Sequence, residues 1–373
     1  MFLSKKTPLV AIDMGSHSIK LLQLAQLKNG SFELVSLGIM PLEQGSIVEG
    51  AIKDTDQVTE ALKNLVKAEK IQSNFVVASV SGEAVFVKKI KVPEMPEDDF
   101  AEKIIEDAEQ YIPFDINDVA LDYQTLGRVN GNLSQQEERE KKSSDKDNSA
   151  EQGPSIVEAL LVAVQRDVIE ERTDVLLEAG LKPAIIDLDV FALMNAARLN
   201  KDLTAMGATA LIDLGDSFTH VNILQKGSIG YTRDIPIGGG YCSTMLMSKF
   251  QVPFNQTHRM KGGYMPDGVK EDEVLALIVQ GYKKVFDEIQ KSFKYFHTLS
   301  STPVERILLS GGGCLINGID AYMSDFLKVP VEHLDPMQGI KVNSRKFDRE
   351  MITELTRLST VAMGLAPRRF DYS

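Results

Sequence analysis

Apolar residues along the chain fall into strand-like runs and helix-like repeats. Leu9–Asp13, Ile19–Ala25 and Phe32–Met40 are short apolar runs, separated by Gly15-Ser16 and by Asn29-Gly30, a hairpin-turn pair. Phe75–Val80 carries no charge, the mark of a strand covered on both faces. Between these, Val58, Leu62, Leu65 and Val66 share one face of a helix expected from Asp54 to Lys70. The pattern changes after Glu83. Val85 and Val87 are out of phase with Ile90 and Val92, which predicts a bulge or bend between them. Phe100, Ile104, Ala108 and Ile112 predict a helix started at Pro96 and stopped by Pro113. A strand is expected near Ala120–Val129. Ser134–Gln152, charged and Ser-rich without apolar periodicity, reads as a flexible loop.

From Ile156 strands and helices alternate: strand Ile156–Val164, helix Asp167–Ala179, strand Ala184–Leu188 and a helix to Leu199. A second block holds strands Thr209–Asp213, Thr219–Leu224 and Ser228–Ile235, and a long helix from Glu271 to Leu299. Strand Arg306–Leu309, the triplet Gly311-Gly312-Gly313 and a helix expected from Ile316 complete it. Strands mixed with crossover helices predict an α/β protein with partly parallel sheets.

Composition narrows the reading. A chain of 373 residues exceeds what one ordinary core fills, so two or more domains are expected. Its 41 Lys and Arg against 53 Asp and Glu leave a net charge of −12, which argues against nucleic acid as a partner. The excess is local. Glu94–Asp122 holds 11 acids and one base, Ser134–Gln152 six acids and four bases, and the rest of the chain balances. Two cysteines, Cys242 and Cys314, make no disulfide framework and point to a reducing compartment. No run approaches the ~18 apolar residues of a spanning helix, and the N-terminus has no secretory signal pattern, so a cytoplasmic location is expected.

An internal repeat carries the chemistry. Val10-Ala11-Ile12-Asp13-Met14-Gly15-Ser16 aligns with Ala210-Leu211-Ile212-Asp213-Leu214-Gly215-Asp216 at an offset of 200 residues. Each copy is a strand ending in Asp-x-Gly, a small polar turn and a second strand. Alone, one such motif is equally ordinary turn chemistry. A facing pair would clamp a polyphosphate, with glycine admitting the anion to backbone amides and two aspartates holding hydrated Mg²⁺. The strand-to-helix turn at Gly311–Gly313 adds a place where a ligand can lie against backbone.

These motifs resemble those of the actin-like ATPase superfamily, which includes actin, Hsp70, sugar kinases and FtsA. Asp13, Gly15, Ser16 and Lys20 match its first phosphate motif. Asp213, Gly215 and Thr219 match the second, and Gly311, Gly312 and Gly313 the adenosine motif. The resemblance implies an actin-like (ribonuclease H-like) two-domain fold binding ATP and Mg²⁺. Asp13 and Asp213 would hold the metal through water, Ser16, Ser18 and Lys20 would contact phosphates, and the triplet would flank adenosine. It also places Lys261, Glu288, Lys291 and Ser292 where relatives contact ribose and base. His258 stands where FtsA-like relatives tend to have a glutamate, and the alternative for the helix residues is a solvated surface. Asp187 and Asp189 lie in the segment that positions water in actin, with a helix cap as the other reading. His220 occupies a position near the lytic water, or is simply structural.

Within the superfamily the chain is most similar to the PilM family of type IV pilus assembly. Ala108–Phe114, Glu288–Ser292 and Ala362–Ala366 carry the likeness. It implies an FtsA-type 1C insert at 83–164, subdomain 1A at 1–82 and 165–206 (with 363–373 returning to it), 2A at 207–247 and 303–362, and 2B at 248–302. The implied partner is the N-terminal cytoplasmic peptide of PilN, with the PilO complex and assembly ATPases as further contacts. That peptide would be taken in a groove lined by Val85, Val87, Ile90, Glu106, Tyr111, Ile112 and Phe114, and the protein held at the inner membrane only through such partners. No residue is clearly placed to orient water, so firm ATP binding with slow or undetectable hydrolysis is expected. An FtsA-like filament former and a small-molecule kinase are the alternatives.

Overall fold

Uninterrupted apolar runs become strands covered on both faces. In the computed structural model, which describes residues 9–129, 155–199 and 201–368, β1 (Val10–Met14) is buried at every position. It continues into β2 (Ser18–Gln26) and β3 (Phe32–Pro41). Gly30 takes φ +86° in the turn between them, a conformation glycine adopts without steric cost. A small hairpin of β4 (Ile47–Val48) and β5 (Ala51–Ile52) precedes α1 (Thr55–Ala68), and β6 (Phe75–Val80) follows. The Asp54 side chain caps α1 by accepting from the Gln57 amide at 3.0 Å.

Contacts divide the chain into two compact units, residues 83–169 and the remainder. The smaller unit is a three-stranded antiparallel sheet ordered β7 (Val85–Pro93), β9 (Ile156–Gln165), β8 (Val119–Val129), with α2 (Glu97–Ala108) on one face. The bulge expected in β7 is absent: its pairing with β9 runs unbroken from Val85 with Val164 to Pro93 with Ile156. Ile90 and Val92 turn towards α2, whereas Val85 and Val87 stand on the opposite face by simple alternation. The irregularity is in β8, between Thr125 and Gly127, where Gly127 takes φ +128°. The loop expected at Ser134–Gln152 lies outside the described residues. Ile90 and Ile112, expected in a peptide groove, are only 4% and 7% exposed and belong to this unit's own core with Phe100, Ile104 and Leu161. The groove reading is corrected at those two positions.

In the larger unit α3 (Arg166–Glu178) leads to β10 (Lys182–Leu188) and α4 (Asp189–Arg198). Its first sheet has the order β10-β6-β1-β2-β3, parallel from β10 to β1 and antiparallel beyond. The second sheet is built from β11 (Thr209–Leu214), β12 (Thr219–Gln225), β13 (Ser228–Ile235), β14 (Arg306–Ser310) and β15 (Val331–His333). Its order, β13-β12-β11-β14-β15, again puts the strand ending in Asp-x-Gly between an antiparallel hairpin and a parallel partner. The sequence repeat is therefore a repeat of sheet topology. Helices α5 (Gly239–Phe250), α6 (Phe254–Lys261) and α7 (Glu271–Ser300) pack on the second sheet around Tyr282, Phe286 and Ile289. The helix expected from Ile316 begins three residues later: a single 3₁₀ turn, Gly312–Leu315, and a left-handed Gly318 precede α8 (Ile319–Leu327). Finally α9 (Arg349–Leu358) and α10 (Thr360–Leu365) return the chain to α4 and β1.

Candidate functional site

The two Asp-x-Gly turns close in the same way. The Gly15 amide donates to Ser18 O at 3.2 Å and the Gly215 amide to Phe218 O at 3.0 Å. A Cβ at Gly215 would come within 2.8 Å of that carbonyl, so the turn requires glycine. Across each hairpin the aspartate faces a cation in register, Asp13 opposite Lys20 and Asp213 opposite His220. Both turns open on one cavity of about 580 Å³, shared with Gly311–Gly313, Lys261, Arg172, Asp189 and Tyr282.

Asp13 and Asp213 are each 8% exposed, and burial pushes both carboxyls up from their usual range. Lys20, 3.2 Å from Asp13, opposes that rise, as do His220 and the Ser310 hydroxyl, which donates to Asp213 at 2.6 Å. Two buried carboxylates in need of positive charge suit a hydrated divalent cation. His220 is placed between acids, its Nδ1 2.7 Å from Asp234 and its Nε2 3.7 Å from Asp189. Burial alone would lower its pKa, but Asp234, Asp189 and Asp213 outweigh it and raise it to about 10. Asp189 also accepts from the Ser79 hydroxyl at 2.5 Å. Asp187, by contrast, is bound to Arg368 at 2.6 Å and does not line the cavity.

Ser16, Ser18, Gly311, Gly312 and Gly313 line the cavity; Thr219 does not and instead donates to Ile237 O at 2.8 Å. Lys261 donates to Gly239 O at 3.2 Å and to the Ser243 hydroxyl at 2.8 Å, and burial lowers its pKa. Glu288, Lys291 and Ser292 are not brought to the cavity. They lie beyond Tyr282 on α7, where Glu288 pairs with Arg233 at 3.0 Å and with Lys291, and Ser292 is buried against the same arginine. They lie about one and a half to three helical turns beyond Tyr282 and none of them lines the cavity, so the expected base contact is corrected.

Sequence reasoning missed four features. Gly238-Gly239-Gly240 packs onto the second hairpin, with the Gly239 amide donating to Gly215 O and that of Gly240 to Asp216 O, each at 2.8 Å. A glycine triplet between strand and helix was the available signal. Arg172 is buried beside Ser79 O, its Nε donating at 3.2 Å, and no sequence pattern marks it. Asp234 accepts from the Gly82 amide at 2.6 Å as well as from His220. His17 of the first turn stacks on His258 of α6, with ring centroids 4.1 Å apart, and Phe254 packs edge-on against the latter.

Two sheets of repeated topology, joined at a cavity by paired Asp-x-Gly hairpins and a glycine triplet, define an actin-like protein. The chain belongs to the PilM family: the family model described as Type IV pilus assembly protein PilM matches residues 11–140 and 145–370. A structure of a PilM-PilN type IV pilus biogenesis complex aligns with a TM-score of 0.80 over 98% of this chain and 99% of that one, at 22% identity. FtsA of Bacillus subtilis is 29% identical over 128 residues, 34% of this chain and 29% of FtsA. EutJ of Salmonella typhimurium is 20% identical over 134 residues, 36% of this chain and 44% of EutJ. The chain thus spans less than half the length of these curated relatives. Among the described residues no helix is long and apolar enough to cross a membrane.

Proposed function

We propose that the chain is an ATP-binding scaffold of type IV pilus assembly whose residue 83–169 unit docks the N-terminal cytoplasmic peptide of PilN. The carrying observation for the nucleotide is the convergence of Asp13, Gly15, Lys20, Asp213, Gly215 and Gly311–Gly313 on one cavity. Asp13 and Asp213 would hold Mg²⁺ through water, Ser16, Ser18 and Lys20 would meet phosphates, and the triplet would face adenosine. Bound Mg²⁺ would supply charge neutralisation for the phosphates. Lys20 and His220 stand opposite the two aspartates, and Asp189 fixes His220 from a different sheet's helix. Among the described residues the single Gln or Glu that lines the cavity is Glu354, on the helix that packs against the Gly312–Leu315 turn, which supports retention of ATP with slow turnover. Nucleotide would then act by holding both hairpins together, stabilising the closed form through binding linkage.

For the partner, the PilN named with the aligned PilM structure supplies the candidate. Val85 and Val87, on the sheet face opposite α2, remain as docking residues; Tyr111, under Lys88 at 4.3 Å, and Phe114 pack against the unit's core on the α2 side, where Glu106 is exposed to attract the peptide. Docking would hold the protein at the inner face of the inner membrane, in contact with other assembly proteins through PilN. Melting curves with and without Mg·ATP, and binding of the PilN peptide to each form, test both halves. No thermal shift with ATP sinks the nucleotide reading, and no peptide binding sinks the docking reading.

A further inference from the structure

The Tyr282 hydroxyl ends in the wall of the cavity. Its ring is packed in the core against Phe286, the residue is 1% exposed, and the hydroxyl has no hydrogen-bond partner among the described residues. It is wedged between two glycines: a Cβ at Gly313 would fall 2.8 Å from it and one at Gly239 3.1 Å. Gly239 is tied by its amide to the second phosphate hairpin and Gly313 belongs to the adenosine triplet. The hydroxyl therefore marks the junction between the phosphate half of the cavity and the base half.

We propose that Tyr282 is a specificity-determining residue that hydrogen-bonds a ribose hydroxyl of the bound nucleotide. This rests on the nucleotide reading above. A sugar is the part of a nucleotide that must lie at that junction. A neutral phenol, donor and acceptor at once, matches a sugar hydroxyl better than a phosphate, for which Lys20 and Lys261 are at hand. A buried hydroxyl left unmade is costly, so the nucleotide-free protein carries a penalty that the ligand relieves. Deleting the oxygen removes both the penalty and the contact.

The test compares Tyr282→Phe with wild type by calorimetric titration with Mg·ATP, Mg·2′-deoxy-ATP and Mg·3′-deoxy-ATP, alongside melting of the nucleotide-free proteins. The expected result is roughly tenfold weaker ATP binding, about 1.4 kcal/mol, with a melting temperature equal to or above that of wild type. For one deoxy analogue the loss on Tyr282→Phe disappears, and wild type binds that analogue more weakly than ATP by the same factor. The wild-type comparison stands even if the variant folds poorly. ATP binding within twofold of wild type, or an equal loss with all three nucleotides, overturns the ribose assignment and leaves nucleotide binding intact. A wild type that binds none of them overturns the nucleotide reading and this inference with it.

Discussion

The three glycines Gly311, Gly312 and Gly313 are equivalent in sequence but not in space, and alanine substitution should separate them. Gly311 sits at φ +86° and ψ 172°, a region essentially reserved for glycine, which costs another residue about 1–3 kcal/mol. Its added Cβ would also fall 2.6 Å from Leu214 O, a backbone atom that cannot swing away, and overpacking adds about 1–3 kcal/mol. Gly311→Ala should therefore destabilise by roughly 2–6 kcal/mol. At Gly313 only the packing component applies, with Leu214 Cβ at 2.6 Å, so about 1–3 kcal/mol is expected. At Gly312 the nearest atom is the Leu358 methyl at 3.5 Å, ordinary contact, and the change should stay within about 0.5 kcal/mol. With roughly 1.3 °C per kcal/mol for a chain of this size, scanning fluorimetry should show Gly311→Ala melting several degrees low, Gly313→Ala intermediate and Gly312→Ala unchanged. Equal shifts for Gly311→Ala and Gly312→Ala would refute the reasoning.

Other consequences follow from the same geometry. His220 is held charged to about pH 10, so its stabilisation is complete below its ordinary pKa near 6.5 and is lost as pH climbs from there towards 10. His220→Gln should melt with a shallower pH dependence across that window, and identical slopes would contradict the charged pair with Asp234. Asp213→Asn removes a buried carboxylate that burial has pushed up, so at neutral pH the nucleotide-free protein should melt at the same temperature or higher, while the Mg²⁺-dependent part of the ATP shift falls at least tenfold in affinity. An unchanged Mg²⁺ dependence in titrations would remove Asp213 from the metal site. Replacing Glu106 and Asp107 by Lys should slow association of a basic PilN peptide at low salt by a few-fold and flatten its salt dependence; stopped-flow rates equal to wild type would exclude steering by α2.

Sequence alone determined what depends on local pattern. The Asp-x-Gly repeat, the charge-free strand β6, the Asn29-Gly30 turn and the long α7 are legible because side-chain period and turn chemistry act over a few residues. The phosphate-site candidates Asp13, Gly15, Lys20, Asp213 and Gly215 could be written down for the same reason: the constraint on each is its own hairpin. Tertiary structure decided everything that required two distant segments to meet. Helical period placed Glu288, Lys291 and Ser292 on α7 without saying that Arg233 of β13 would take Glu288 and Ser292, because period fixes a face and not what covers it. Ile90 and Ile112 went into the insert's own core, where burying apolar area outweighs offering it to a peptide. Arg172, Asp234 and Tyr282 carry no motif at all. They become part of the site only because the fold sets Arg172 and Tyr282 against a cavity whose other walls come from distant parts of the chain, and Asp234 against His220 of that cavity.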